Sequence, residues 1–249
     1  DGFTKDVVTA DIMRRLQQLQ RSEIVPNTID KLLAEGIAYF EVQTVSSTED
    51  LIEEILAGPI GLLIDGEAEG IAIDLREYPV RSIEEPDLER VTRGSRDGFV
   101  ETLVFNTALI RRRVRDSGLR FEILKVGARS KTDVVIGYIN DLADVDRVRM
   151  LKKRIQAVKA DALVMGAKSL EEFLFKQRLN PLPRVRYTER PDVVAAHLYE
   201  GHIVILTDTT PMAMIVPVTA FHFTQHAEEY FKTPIVGTYL RWVRSLGIL

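Results

Sequence analysis

Segments of helical and of strand periodicity alternate along the 249-residue chain, broken at 78–97 by a charged, proline-bearing stretch. Ile12, Met13 and Leu16 recur at helical spacing, whereas Tyr39, Phe40 and Val42 stand in a run of sheet-forming residues. The first pattern gives a helix one apolar stripe, and the second suits a half-buried strand. Helices and strands that alternate in this way bury their apolar faces against one another, so the expected class is α/β, as a mixed α+β fold. Pro79, Pro86, Gly94 and Gly98 interrupt any regular pattern in the break. Two α/β subdomains are therefore expected, residues 1–85 and 86–249, with mixed sheets flanked by helices.

In the first subdomain the spacing predicts helices over 9–20 and 27–35 and a strand over 38–45. Ser47, Thr48, Glu49 and Asp50 offer hydroxyl caps and an acidic first turn to a helix over 48–57, which Gly58 and Pro59 end. Apolar runs at 60–64 and 70–75 flank the polar loop Asp65, Gly66, Glu67, Ala68, Glu69, the layout of a hairpin. In the second subdomain the pattern predicts a helix over 99–114, strands over 119–126 and 134–139, and a helix over 145–158. A short strand at 162–165, a helix over 169–176 and a helix over 191–199 with Pro191 at its first position follow. Thr188 or Glu189 can cap that last helix, and Arg190 can pair with a nearby acid. A hairpin over 202–206 and 212–216 and a helix from 237 onward complete the reading.

Composition narrows the chemistry. At 45% hydrophobic and 28% charged residues the chain has enough apolar surface for a packed core. A formal net charge of -4 argues against a nucleic-acid partner, which needs a concentrated basic surface. The absence of cysteine excludes disulfides, thiolate metal sites and thiol nucleophiles, and fits a reducing compartment. The chain starts at Asp1 without a signal-peptide pattern, which suggests a boundary within a longer chain. The apolar stretch 202–221 is broken by Asp208 and prolines and does not read as a membrane span.

His222 and His226 stand four apart and would share a helix face, but no intervening glutamate or third ligand accompanies them. Serine elbow, phosphate-loop lysine and dinucleotide fingerprint are all lacking, so no catalytic residue, metal or cofactor is expected. Arg93 and Arg96, set among Gly94, Ser95, Asp97 and Gly98 before a helix, and Arg111, Arg112 and Arg113 at a helix end are candidate interface or anion contacts. Ion pairs with Glu84, Glu85 and Asp87 are the alternative use of the first two. At the end of the chain Tyr239, Arg241, Trp242 and Arg244 lead into an apolar run. Amphipathic aromatic and basic side chains suit a membrane junction, with an ordinary packing helix as the other reading.

Four ordered segments carry a resemblance: Arg93 through Glu101, Asn106 through Arg113, Val126 through Thr132, and Arg186 through Asp192. Together they resemble the N-terminal soluble domain of the GerA family of spore germination proteins. The tail from Gln225 through Arg244 is similar to a stage V sporulation branch of that family rather than to receptor A subunits. The resemblance implies a cytoplasmic domain preceding membrane helices, in the inner membrane of a spore, on the core side. It implies oligomerisation or gating of an ion channel that releases ions during germination, with other copies of itself and other germination membrane proteins as partners. The membrane would be reached through C-terminal helices beyond Leu249. The alternative is a small-ligand (germinant) sensing domain of a germinant receptor A subunit, with a ligand cleft between the subdomains.

Overall fold

The computed structural model describes residues 6–18, 28–33, 37, 42–74, 82–86, 89–91, 94–175, 184–219, 236–240 and 242–243. The chain forms two compact units, Asp1–Pro79 and Val80–Leu249. In the first lie α1 (Asp6–Gln18), α2 (Thr28–Lys31), β1 (Val42–Val45), α3 (Thr48–Ala57), β2 (Ile60–Leu62) and β3 (Gly70–Ile73). β3 runs antiparallel between β1 and β2, with Ile71 opposite Thr44 on one side and Leu62 on the other. Ile12, Leu32, Ile37, Ile71 and Ile73 form the core of this unit.

α3 begins and ends for local reasons. The Ser47 hydroxyl accepts the Asp50 amide at 3.2 Å, satisfying an N–H that has no partner inside the helix. Gly58, at φ 118, takes the left-handed conformation that closes the last turn, its amide donating to the Ile55 carbonyl at 3.0 Å.

The second unit is built on α4 (Leu103–Arg113), β4 (Leu119–Val126), β5 (Thr132–Ile139), α5 (Val145–Gln156), α6 (Ala167–Phe175), β6 (Arg186–Thr188), α7 (Pro191–Tyr199), β7 (Ile203–Thr207) and β8 (Ala213–Val216). Its five strands lie in the order β4-β5-β7-β8-β6. Alternate residues of β5, β7 and β8 enter two different cores. Val135, Val204, Leu206 and Ile215 pack with residues of α4 and α7 on one face. Val134, Ile136, Ile205 and Met214 pack with α5 and α6 on the other. A strand covered on both faces needs no polar alternation, which is why β7 and β8 read as continuous apolar runs.

The mixed α+β class is as expected, but the sheets are not of mixed direction: all described pairings are antiparallel. The cause lies in the β6–α7–β7 crossover. β6 and β7 run parallel to each other, but β8 fills the position between them and pairs antiparallel with both. Helix–strand alternation thus arises here from a crossover that skips a strand.

Three local readings change as well. Residues 162–165 are not a strand; Val164 and Met165 are exposed and only Leu163 is buried, so no face repeats. β6 is an additional strand that holds only Arg186, Tyr187 and Thr188, too short for any periodicity. The helix expected from residue 99 starts at Leu103, because the Asn106 side chain takes both backbone groups of Val100, accepting its N–H at 2.9 Å and donating to its carbonyl at 2.6 Å. The expected start of a helix near 237 coincides with helical residues 236–240 and 242–243.

Ile136 is fully buried in the α5–α6 core. Ile136→Ala is expected to lower the unfolding free energy of the second unit by about 3 kcal/mol, read as a shifted urea midpoint at unchanged slope.

Candidate functional site: an arginine-centred junction

Three of the four segments that carry the family resemblance meet in the second unit. β6 delivers the chain to Arg190, which occupies the N-cap position of α7 with Pro191 directly after it. Neither Thr188 nor Glu189 holds that position, and no side chain caps α7 there. The Arg190 side chain is fully buried. Its Nε donates to Asp192 Oδ1 at 3.0 Å and its Nη2 to Oδ2 at 2.7 Å, a bidentate fork. Nη1 donates to the Glu89 carbonyl at 3.1 Å, and Nη2 to the Ser95 carbonyl at 2.9 Å.

The same segment is fastened at further points. The Glu89 carboxylate accepts the Thr188 hydroxyl and, at 3.3 Å, the Glu189 amide. The Phe99 amide donates to the Glu189 carbonyl at 2.8 Å. Gly98 donates its amide to the Glu84 carbonyl at 2.9 Å, and a Cβ on Gly98 would stand 3.0 Å from that carbonyl oxygen and 3.2 Å from Pro86. The glycine in this segment therefore serves close backbone approach.

The remaining candidate arginines divide sharply. Arg113 donates to Asp97 Oδ2 at 2.6 Å and to the Ser95 hydroxyl at 2.7 Å, and Ser95 in turn donates to Asp97. Burial pushes the Asp97 carboxyl up, but the hydrogen bonds from Arg113 and Ser95 and the guanidinium charge outweigh it and hold the group below its ordinary value. Arg111 donates to the carbonyls of Asp116 and Leu119 at 3.2 and 3.1 Å and lies 5.4 Å over the Phe121 ring, so it closes the turn between α4 and β4. Arg96 and Arg112 are exposed, and no ion pair joins Arg96 to Glu84 or Glu85 among the described residues. Arg93 and Asp87 lie outside the described residues. Among the described candidate arginines the one acid engaged is Asp97, and its partner Arg113 stands on another element, α4.

A buried histidine sits on α7 behind this junction. His197 Nδ1 lies 2.8 Å from the Val193 carbonyl, an acceptor only, so Nδ1 carries the proton. Nε2 then faces Arg186 Nη1 at 3.4 Å as the acceptor. Burial lowers the His197 pKa to about 4, the Val193 hydrogen bond opposing that shift and the Arg186 charge adding to it.

The expected junction residues stand at the other end of the unit's sequence. Tyr239 and Trp242 are exposed at 66% and 67% in the helical residues 236–240 and 242–243, while Arg241 and Arg244 lie outside the described residues. His222 and His226 also lie outside them. Among the described residues no helix is long and apolar enough to cross a membrane, and no group of three or more His, Cys, Asp or Glu side chains is placed to hold a metal ion.

The whole of residues 1–249 matches the family described as Bacillus/Clostridium GerA spore germination protein. The chain is similar to Stage V sporulation protein AF of Bacillus subtilis, 47% identical over all of this chain and 50% of that protein. It is also similar to the Uncharacterized membrane protein YfkQ of the same organism, 38% identical over 87% of this chain and 42% of that protein. Spore germination protein GerLA of Bacillus cereus is 35% identical over 98% of this chain and 49% of its own length. The chain thus spans about half the length of these relatives or less. A crystal structure of the N-terminal domain of the A subunit of the Bacillus megaterium spore germinant receptor GerK3 covers 49% of this chain and 96% of its own, at 35% identity and a TM-score of 0.40.

Removing the fork should be severe. Arg190→Lys keeps a charge but leaves Asp192 and two carbonyls without their geometry, and about 3 kcal/mol of stability is expected to be lost, whereas Arg112→Glu should stay within about 0.5 kcal/mol in the same urea titration. His197 gives a pH signature of definite sign. Its folded pKa of about 4 lies below the ordinary 6.5, so its contribution is full above pH 6.5 and is lost as the pH falls towards 4. Stability measured across that window should decline in the parent chain and decline less in His197→Gln.

Proposed function

Because the chain belongs to the GerA family of spore germination proteins, we propose that it is the cytoplasmic, core-side domain of a germination protein of the spore inner membrane. Its work in this reading is oligomerisation or gating of a channel through which ions leave the spore core. The observation that carries the reading is that Tyr239 and Trp242, in helical residues 236–240 and 242–243, project into solvent instead of completing a core. Exposed aromatic side chains next to Arg241 and Arg244 suit the headgroup layer of a membrane. The greater length of the relatives supports membrane helices after this domain, and one of them is named a membrane protein.

Two surface features support association between copies. Arg96 and Arg112 project outward while their neighbours Arg111 and Arg113 are held in internal bonds. The first unit is strongly acidic and the second has a basic excess, so copies can meet through unlike charges. A second reading, small-ligand sensing, is favoured by an arginine-lined cleft within the second unit.

The channel reading predicts that the full-length protein, purified in detergent, sediments as an oligomer and passes cations across liposome membranes. A monomer that conducts nothing would defeat it. In the isolated 249-residue chain, Arg96→Glu with Arg112→Glu should weaken salt-sensitive self-association while the melting temperature stays unchanged.

A further inference from the structure

We infer that a cleft at the rim of the α5–α6 core binds a small carboxylate with an apolar body. The cleft, of 310 Å³, is bordered by Arg147, Arg154, Phe175 and Arg184 and reaches Ile203 and Val216 at the ends of β7 and β8. That volume falls in the range of roughly 300–1,000 Å³ found for small-molecule sites. A neighbouring cleft of 760 Å³ shares Arg154, Phe175 and Arg184 and adds Lys159. Among the described residues, cations line both clefts and no carboxylate does.

The charge balance on α5 makes this distribution informative. Away from the first cleft two of its three cations are matched: Arg149 donates to Asp146 at 2.8 Å, and Lys152 pairs with Glu122 across to β4. At the cleft, Arg147 is shared with Asp144 at 2.9 Å. Arg154 contacts only a carbonyl, that of Leu174 at 3.4 Å, and Arg184 has no acidic partner among the described residues. The guanidinium groups of Arg154 and Arg184 therefore bring donors to one opening with no anion between them. A planar fork suits a carboxylate, and hydrated surface arginines gain most from an anion that also covers apolar floor. Met150, 43% exposed, and the exposed Pro217 supply that floor beside Phe175 and Val218. A bare inorganic anion would leave it uncovered, and a neutral ring would leave the guanidinium groups unmatched.

This site rests on the second reading only for its purpose; the binding itself stands on the cleft. Sodium benzoate titrated into the 249-residue chain, followed by calorimetry and amide chemical shifts, tests it. Saturable binding is expected, with inorganic phosphate and benzyl alcohol each roughly tenfold weaker or more. Arg154→Gln with Arg184→Gln should weaken benzoate by roughly tenfold or more at unchanged melting temperature, and Arg184→Lys, which keeps the charge and removes the fork, should fall between. Benzoate binding no tighter than phosphate, or untouched by the double variant, overturns the site. Saturable binding that leaves self-association unchanged supports the site and overturns its use in sensing.

Discussion

A guanidinium cannot be buried without its charge and its donors being met, and that requirement at Arg190 organises the second unit. Asp192, two residues on, meets the charge. The carbonyls of Glu89 and Ser95 meet remaining donors from 101 and 95 residues earlier in the chain. A stretch with little periodicity of its own is thereby held against the start of α7. Once that stretch is placed, Phe99 and Val100 enter the core at 2% and 1% exposure, Asn106 closes on Val100, and α4 is set to pack with α7. An arginine without this fork would leave a desolvated carboxylate and orphan carbonyls at one spot, which is why substitution there acts on the whole unit.

Most regular elements were legible because their causes are local. Ser47 and Gly58 mark α3 with a hydroxyl and a left-handed glycine, and the apolar runs of β5, β7 and β8 announce a sheet covered on both faces. What escaped depends on partners far away in sequence. β6 exists because Tyr187 stands opposite Met214 in the sheet, not because three residues favour a strand. The delayed start of α4 depends on the Asn106 side chain, whose amide competes for backbone groups that a helix reading assigns to the helix. Strand direction escaped for the same reason, since insertion of β8 between β6 and β7 leaves no mark on the periodicity of either.

The arginines show how far composition can carry a site. Read along the chain, Arg111, Arg112 and Arg113 are equivalent members of a basic helix end. In the fold one caps a turn over Phe121, one projects outward and one is locked on Asp97. Helical geometry separates consecutive residues by a large angle, so a run of like charges is divided among different surroundings. The reverse holds at the cleft, where Arg154 and Arg184 are 30 residues apart and belong to no motif, yet line the same opening. Anion-binding capacity follows from which guanidinium groups lack an acid nearby, a property of the fold alone.

Under the proposed channel role, the packing limits where a gating movement could lie. β5, β7 and β8 are closed on both faces by cores whose residues are almost wholly buried, and such interiors do not deform continuously. The Arg190 junction fixes the preceding stretch to the same body. A displacement within the second unit would therefore have to open a core or break the fork, each far more costly than rearranging exposed contacts. In that proposal the motion lies in contacts made by this body as a whole, through the outward Arg96 and Arg112 and the exposed Tyr239 and Trp242. An anion seated between Arg154 and Arg184 would act by changing the charge of that body's surface, because Ile203 and Val216 behind the cleft belong to strands that cannot yield.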